Sequence, residues 1–501
     1  MKLASIWVLG LVLALAAAAR AAVIDVSPSD SDEVNIGKIE GAMAGDEVVV
    51  APGTYRFRLY LEGAGTADQP IVIRAADPAD RPVWDFEGGV VESWPGSYAG
   101  GDSGRSMWQV TGSYYVISGI VFRNGTDGGS GDSGGLRFKA SDHVTLHDCL
   151  FQLNDNGIQG SGTETLVEFC EFDQNGLPGS SEASHNLYIH GGSITVRYCY
   201  IHDAQRAQNL HIRAFRSVFE YNWIARPMSY MGDMMPCTMD PCESDQTMLL
   251  RGNVFLRGSE LNDGQVFVMY NDQGSAGTSF SLTMIDNTVI GNGDGAALVH
   301  VANEDPSLNL MQTAVLSNNV IYDVADVFRI DDPGLSNWSA GGRNNWLSEG
   351  TGGTEALEGT VTGSDPGLAD LAALNFVPAP GSPLVGAADT AIADLPDKEY
   401  YRDETLAMHW RARLSVNDIG AFESTTTGTA VGPYDETPPA DADEAPENAD
   451  NVELPPDADG GPDLPGEVFQ DVLDGPGPGD AAEEETGDEG GGGGCGCSTA
   501  G

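Results

Sequence analysis

The stretch HNLYIHGGSITVRYCYIHDAQRAQNLHIRA, from His185 to Ala214, contains two variants of one hexapeptide, HNLYIH and QNLHIR, 23 residues apart. Both carry histidine, and the second ends in arginine. Six of the eight histidines of the chain (143, 147, 185, 190, 202 and 211) fall between residues 143 and 211. Tyr188, His190, His211 and Arg213 are the residue types that β-elimination at a uronate sugar would need. The C5 proton of such a sugar lies α to a carboxylate, and it becomes acidic only when a cation neutralises that charge. A base then removes it while an acid protonates the leaving oxygen. Arg213 would neutralise, His190 or His211 would be the base, and Tyr188 the acid. A histidine on an exposed strand face titrates near neutrality, which suits either transfer.

These residues need a scaffold that sets them side by side, and internal repetition supplies one. The segments YVISGIVFRNG, VTLHDCLFQLN, TLVEFCEFDQN, ITVRYCYIHDA, SVFEYNWIARP, LLRGNVFLRGS, TMIDNTVIGNG and AVLSNNVIYDV align on one small or polar residue. That residue is Gly119, Cys149, Cys170, Cys199, Asn222, Asn253, Asn287 and Asn319 in turn, with an apolar residue three before and another two after. A second short strand recurs as GGLRFKA, NGIQGSG, HNLYIHG, QNLHIRA, AALVHVA and DVFRIDD. Its alternation points Leu187 and Ile189 inward, and Tyr188 and His190 outward. No such unit can bury its own apolar face, but stacked copies can, as parallel strands about 4.8 Å apart. The expected fold is all-β: a single right-handed parallel β-helix (a solenoid) with an N-terminal cap. Asparagines at a rung corner would hydrogen-bond along the axis, with buried free thiols replacing them in part of the column. Outward positions would form two columns, one of Arg137, Gln159, Tyr188 and His211, the other of Lys139, Ser161, His190 and Arg213. Arg137 and Lys139 thereby become candidate substrate-binding residues in a local cationic patch.

The chain resembles the right-handed parallel β-helix proteins of the pectin-lyase-like group, most closely their secreted bacterial branch. The segment AMAGDEVVVAPGTYRFRLYLEGAGTADQPIVIRA carries the resemblance at the start, and SDPGLADLAALNFVPAPGSPLVGAAD with RLSVNDIGAFE at the end. It extends over about residues 23–424 and implies an amphipathic cap helix and the β-helix fold. The fold carries lyases, hydrolases, epimerases and adhesins alike. The His185–Ala214 stretch is similar in spacing to the two-rung segment of the chondroitinase B and alginate lyase family. There a Lys on one rung and an Arg on the next carry catalysis; His190 and Arg213 stand at those places. That family also binds Ca2+, which makes calcium the cofactor to consider. Its acidic ligands are not matched, since Ala183 and His185 stand near their positions, and no metal ligands are assigned. Polygalacturonase-type hydrolases are echoed only faintly by His190-Gly191 and His211-Ile212-Arg213. Glycoside hydrolysis requires paired carboxylates, and Asp155 is a lone candidate. The Asp-Pro-His motif of mannuronan epimerases is absent. Three functions therefore stand in order: a polysaccharide lyase, a non-catalytic glycan-binding or adhesin-like surface protein, and a glycoside hydrolase.

The two ends of the chain carry different signals. MKLASIWVLGLVLALAAAARAAV has the layout of a secretory signal peptide over residues 1–21, and it places the mature chain outside the cell or on its surface. The β-helix domain would follow over residues 22–424. The formal charge is -51, and from Val431 to Gly501 twenty acidic residues occur with no Lys or Arg. Residues 425–501 read as a disordered, self-repelling acidic tail. The overall sign excludes nucleic acid as a partner, because that affinity comes mainly from neutralising phosphates. No later stretch is long and apolar enough to span a bilayer, and a monomer with a polysaccharide partner is expected. Cys237 and Cys242 lie close together in a polar insertion, residues 228–247, where a local disulfide or, less favoured, a metal site would fit. Cys495 and Cys497 lie in GGGGCGCSTAG, which resembles the Gly-Cys-Gly-Cys region of myxobacterial C-terminal sorting tails and makes them a candidate anchor.

Overall fold

A computed structural model describes residues 21–435, except 88, 92–104, 129–132, 177–183, 238–240, 259–264, 272–278, 294, 304–310, 332–336, 402–407 and 426–428. Residues 1–20 of the expected signal segment, Ala183, and the cysteines Cys495 and Cys497 lie outside this set. Among the described residues one sheet gathers nineteen strands and a second twelve, and every pairing between successive rungs is parallel. The architecture is a right-handed parallel β-helix. Among the described residues the one helix, Asp32–Glu40, sits at the N-terminal end with Ser31 accepting from the Val34 amide and Ile39 buried. Among the described residues no helix is long and apolar enough to cross a membrane.

Each rung has three faces, because the larger sheet bends. One face carries Trp108–Val110, the first half of Gly134–His147, and then Leu210–Ile212 and Gly232–Met234. The next carries Ser113–Ser118, the second half of Gly134–His147, and then Arg216–Glu220 and Asp245–Arg251. The twelve-stranded sheet is the third. Period-two alternation drives the inward residues of all three faces into one core. Leu136, Ile158, Leu187 and Leu210 are at most 1% exposed. Phe122, Phe151 and Phe172 stack through it at ring-centroid spacings of 4.8 and 4.9 Å, the distance between rungs.

The repeated key residue sits at the corner leading into the third face. Cys149, Cys170 and Cys199 are free buried thiols, and the Cys199 amide donates to Asn222 Oδ1 at 2.9 Å. From there Asn222, Asn253, Asn287, Asn319 and Asn345 pass hydrogen bonds of 2.9–3.0 Å from amide to amide. A second ladder stands at the opposite corner. Asn154, Asn175, Asn186 and Asn209 are linked at 2.8–3.0 Å, and they pin the start of each strand on the first face. The asparagines of HNLYIH and QNLHIR belong to this ladder.

On the second face one outward column alternates in charge: His147, Glu168, Arg197, Glu220, Arg251, each paired with the next. Glu168 bonds His147 Nδ1 and Arg197, both at 2.9 Å, and Arg251 Nε donates to Glu220 at 2.7 Å. The next residue on each rung is left-handed, including Asp148, Phe169, Tyr198, Tyr221, Asp286, Asn318 and Asn344, with φ from 50° to 60°. The C-terminal segment runs along this corner in the reverse direction. Ala387 O accepts from Asn344 and the Asp389 amide donates to Asn318. Asp397 then accepts from Tyr221 at 2.9 Å, and Trp410 stacks on Tyr198. The last contacts are Pro433 O with His147 Nε2 at 2.8 Å and Tyr434 Oη donating to Asp148 at 2.6 Å. Residues 429–435, which the composition assigns to the acidic tail, therefore belong to the packed body. Their own charge is low, and Val431 pairs with Trp410 while Tyr434 bonds Asp148.

Candidate active site

HNLYIH and QNLHIR lie on consecutive rungs, with Leu187, Tyr188 and Ile189 paired to Leu210, His211 and Ile212. The expected column of Arg137, Gln159, Tyr188 and His211 is present, and it continues to Asp233. The second expected column holds for Lys139 and Ser161, which pair, and breaks at His190. Gly160 pairs with Ile189 but Ser161 pairs with Gly191, so His190 is an extra residue, a bulge that re-aims its side chain. Gly192 completes this turn with φ of 80°, where a Cβ would stand 1.9 Å from Gly162 O.

The bulge gathers the rings. Tyr188 stacks on His190 at 4.0 Å and meets His211 edge-on at 4.5 Å. His185, from the turn before the strand, stacks on His211 at 4.7 Å and approaches Tyr188 at 5.1 Å. Arg213 donates from Nε to His211 Nε2 at 3.3 Å and from Nη1 to Pro236 O at 3.1 Å. Tyr188, His190, His211 and Arg213 are thus brought together. Arg137 and Lys139 are two rungs away, about 9.6 Å along the axis, Arg137 buried and Lys139 half-buried.

These groups are not the solvated side chains of an open face: His190, His211 and Arg213 are 7–8% exposed. The covering comes from the insertion at 228–247, where Cys237 and Cys242 form a disulfide. Pro236 O takes the Arg213 guanidinium, Pro241 O takes the Gly192 amide at 2.9 Å, and Gln246 braces Cys237 N and Met235 O. Burial, followed by the like charges that His211 and His190 would carry, holds His185 well below the usual histidine range.

Among the described residues the carboxylate in contact with the cluster is Asp233, whose side chain is 1% exposed. Its Oδ2 accepts from His211 Nδ1 at 2.9 Å and Gln208 Nε2 at 3.0 Å, and its Oδ1 from the Ile212 amide at 3.3 Å. Sequence reading misses Asp233 because Gly232 occupies the inward position that Leu210 fills one rung earlier, so the apolar alternation that marks a strand is broken there. The repeated Asx–Leu–x–Ile register, extended one rung onto GDM, is the signal that would have found it. The calcium implied by resemblance does not fit. A hard cation needs six or more oxygen ligands, whereas this cluster offers three histidines, an arginine and one carboxylate already accepting from three donors.

Two other clusters gather ionisable side chains. Asp155, the lone hydrolase candidate, has a partner after all: its carboxyl is hydrogen-bonded to Asp127, which Arg105 holds at 3.0 Å. Burial and this neighbour push Asp155 up to about 6. The contact is made through the Asp127 backbone amide, which donates to Asp155 Oδ2 at 2.8 Å. On the third face Asp173, His202 and Asp203 are close enough to share a metal ion. Their own bonds already engage them: His202 lies 2.6 Å from Asp203 and 3.1 Å from Glu171, and Arg226 lies 2.7 Å from Asp203.

Solved structures similar to this chain include an alginate lyase from Paenibacillus sp. str. FPU-7, 16% identical with a TM-score of 0.45 over 62% of this chain and 99% of that one. Pectate lyase Pel9A is 15% identical with a TM-score of 0.49, over 81% of this chain and 96% of its own. A GH136 lacto-N-biosidase from Eubacterium ramulus is 12% identical with a TM-score of 0.47, over 68% of each. No family model matches the chain, and no curated protein matches its sequence. At these identities the likeness concerns the course of the backbone alone.

Proposed function

We propose that this chain is an exported carbohydrate-active enzyme that cleaves a uronate-containing polysaccharide by β-elimination. One observation carries the reading: two consecutive rungs bring Tyr188, His190, His211 and Arg213 into contact beneath the disulfide loop. Arg213 would meet the uronate carboxylate. His211 is engaged at both ring nitrogens, by Asp233 and by Arg213, so the base role falls to His190. His190 takes the C5 proton, the C–H electrons become the C4–C5 double bond, the C4–O bond breaks, and the Tyr188 hydroxyl protonates the leaving oxygen. Incubation with alginate, pectate and chondroitin, followed by the absorbance of the new unsaturated uronate, tests this. Turnover by wild type is expected, with loss in the His190→Ala, Arg213→Ala double variant. Turnover surviving both substitutions removes the site.

The low exposure of the cluster, capped by Pro236, favours a second reading in which the face binds glycan without cleaving it. Retention on immobilised glycan without absorbance change would select it.

A further inference from the structure

We infer that Asp233 is a positioning residue that acts through His211 to aim Arg213. The role of Arg213 in this inference rests on the elimination chemistry proposed above. The tautomer of His211 does not.

The inference begins with hydrogen-bond inventory. A carboxylate only accepts, and the Nε–H of arginine only donates. His211 stands between one of each: Nδ1 faces Asp233 Oδ2 at 2.9 Å, and Nε2 faces Arg213 Nε at 3.3 Å. Both contacts are satisfied by one form, the neutral ring with its proton on Nδ1 and its lone pair on Nε2. The chain of donors therefore has a single direction. It runs from Arg213 through His211 to Asp233, and a second bond from Arg213 ends on Pro236 O at 3.1 Å. Two of the guanidinium nitrogens are thereby fixed, one by a neighbour on the same rung and one by the disulfide loop. Asp233 is itself fixed by Gln208 Nε2 and the Ile212 amide. It lies in the column of Tyr188 and His211, one rung further on, and contributes no group to the ring cluster facing the proposed substrate.

The Ile212 amide makes the inference testable with a nearly isosteric change. In Asp233→Asn the backbone N–H still requires an acceptor at the Oδ1 position. The new amide oxygen therefore stays there, the NH2 group turns toward His211 Nδ1, and Gln208, which donates to Oδ2 in the wild type, rotates its amide to accept from the new NH2 through Oε1. A donor now faces Nδ1, so the ring proton moves to Nε2, where it opposes the Arg213 Nε–H. Arg213 Nε loses the His211 acceptor, Pro236 O still holds Nη1, and the side-chain volume is unchanged.

The experiment is a long-range 1H–15N spectrum of histidine-labelled protein, at a pH where His211 is neutral, alongside kinetics on whichever uronan is cleaved. Wild type should show His211 protonated on Nδ1, and Asp233→Asn should show it protonated on Nε2. The variant should lose about 100-fold in kcat with KM changed less than about threefold, because the misaimed guanidinium is missed mainly where charge develops. An Nε2–H ring in wild type overturns the inference, and this measurement needs no variant to fold. A switched tautomer with unchanged kcat also overturns the positioning role. If wild type cleaves no uronan, the elimination chemistry fails while the tautomer result still decides whether Asp233 governs His211.

Discussion

Two stacks of ionisable side chains occupy adjoining faces of the same solenoid, and they follow opposite rules. On the second face His147, Glu168, Arg197, Glu220 and Arg251 alternate in sign, so each buried charge has an opposite charge one rung away. On the first face His185, His190, His211 and Arg213 gather around one carboxylate, Asp233. Rungs about 4.8 Å apart place every side chain within Coulomb range of its neighbours, so a column built for stability must alternate. The charge column carries both its histidine and its carboxylates as charged groups. His147 is bonded to Glu168 at Nδ1 and to Pro433 O at Nε2, two acceptors that only the imidazolium satisfies. Burial alone would lower His147, but Glu168, the Pro433 carbonyl and Asp148 together raise it above the usual range. His185 moves the other way. On the first face the described contacts join rings and a guanidinium around Asp233 rather than alternating in sign from rung to rung.

The largest effect is expected from breaking the alternation. Glu168→Ala removes the carboxylate shared by His147 and Arg197, leaving His147 without its ion partner and Arg197 with Glu220 alone, which should cost about 2 kcal/mol in chemical denaturation. A cost near zero would mean that the column is not a source of stability.

A smaller effect separates the two faces by pH. The folded-state value of His147 is raised, so its contribution is fully present below about pH 6.5 and is lost as pH rises through the folded value. The value of His185 is lowered, so it stays neutral in the fold, and stability is lost as pH falls below about 6.5 because the unfolded chain takes up the proton. Replacing His147 with Phe should remove the alkaline loss and leave the acidic one. NMR titration should show His147 titrating above the usual histidine range and His185 below it. The same order of titration in both residues would erase the contrast.

The smallest stability effect should come from the first face itself. Arg213→Leu deletes a buried cation that shares a ring of histidines, and denaturation should shift by less than about 1 kcal/mol while uronan cleavage disappears. A large loss of stability there would make Arg213 structural.

Periodicity made the scaffold readable from the residues alone: the alternation in HNLYIH, the inward Leu187 and Ile189, and the corner column ending in asparagines all follow from the physics of stacking. It also brought together Tyr188, His190, His211 and Arg213. What it could not show is where the period fails. The His190 bulge adds a residue without disturbing the apolar pattern on either side. Gly232 hides the strand that carries Asp233. Asn154, Asn175, Asn186 and Asn209 form a ladder whose members are 21, 11 and 23 residues apart, too irregular to register as a repeat. The burial of the site comes from Pro236 and Pro241, residues beyond the repeat whose position depends on tertiary folding.

A solenoid in which each rung touches only its neighbours can in principle fold from one end like a zipper. The C-terminal segment, running from Ala387 beside Asn344 to Tyr434 beside Asp148, removes that freedom. Its contacts join residues as much as 286 positions apart, and such closures slow folding because the loop must be ordered before they form. As the chain is synthesised, the corner at Asp148 stays open until residue 434 has been made. The rungs that carry the candidate site lie within the span this segment straddles, so shortening the chain at residue 424 should loosen corners that were among the earliest to be translated.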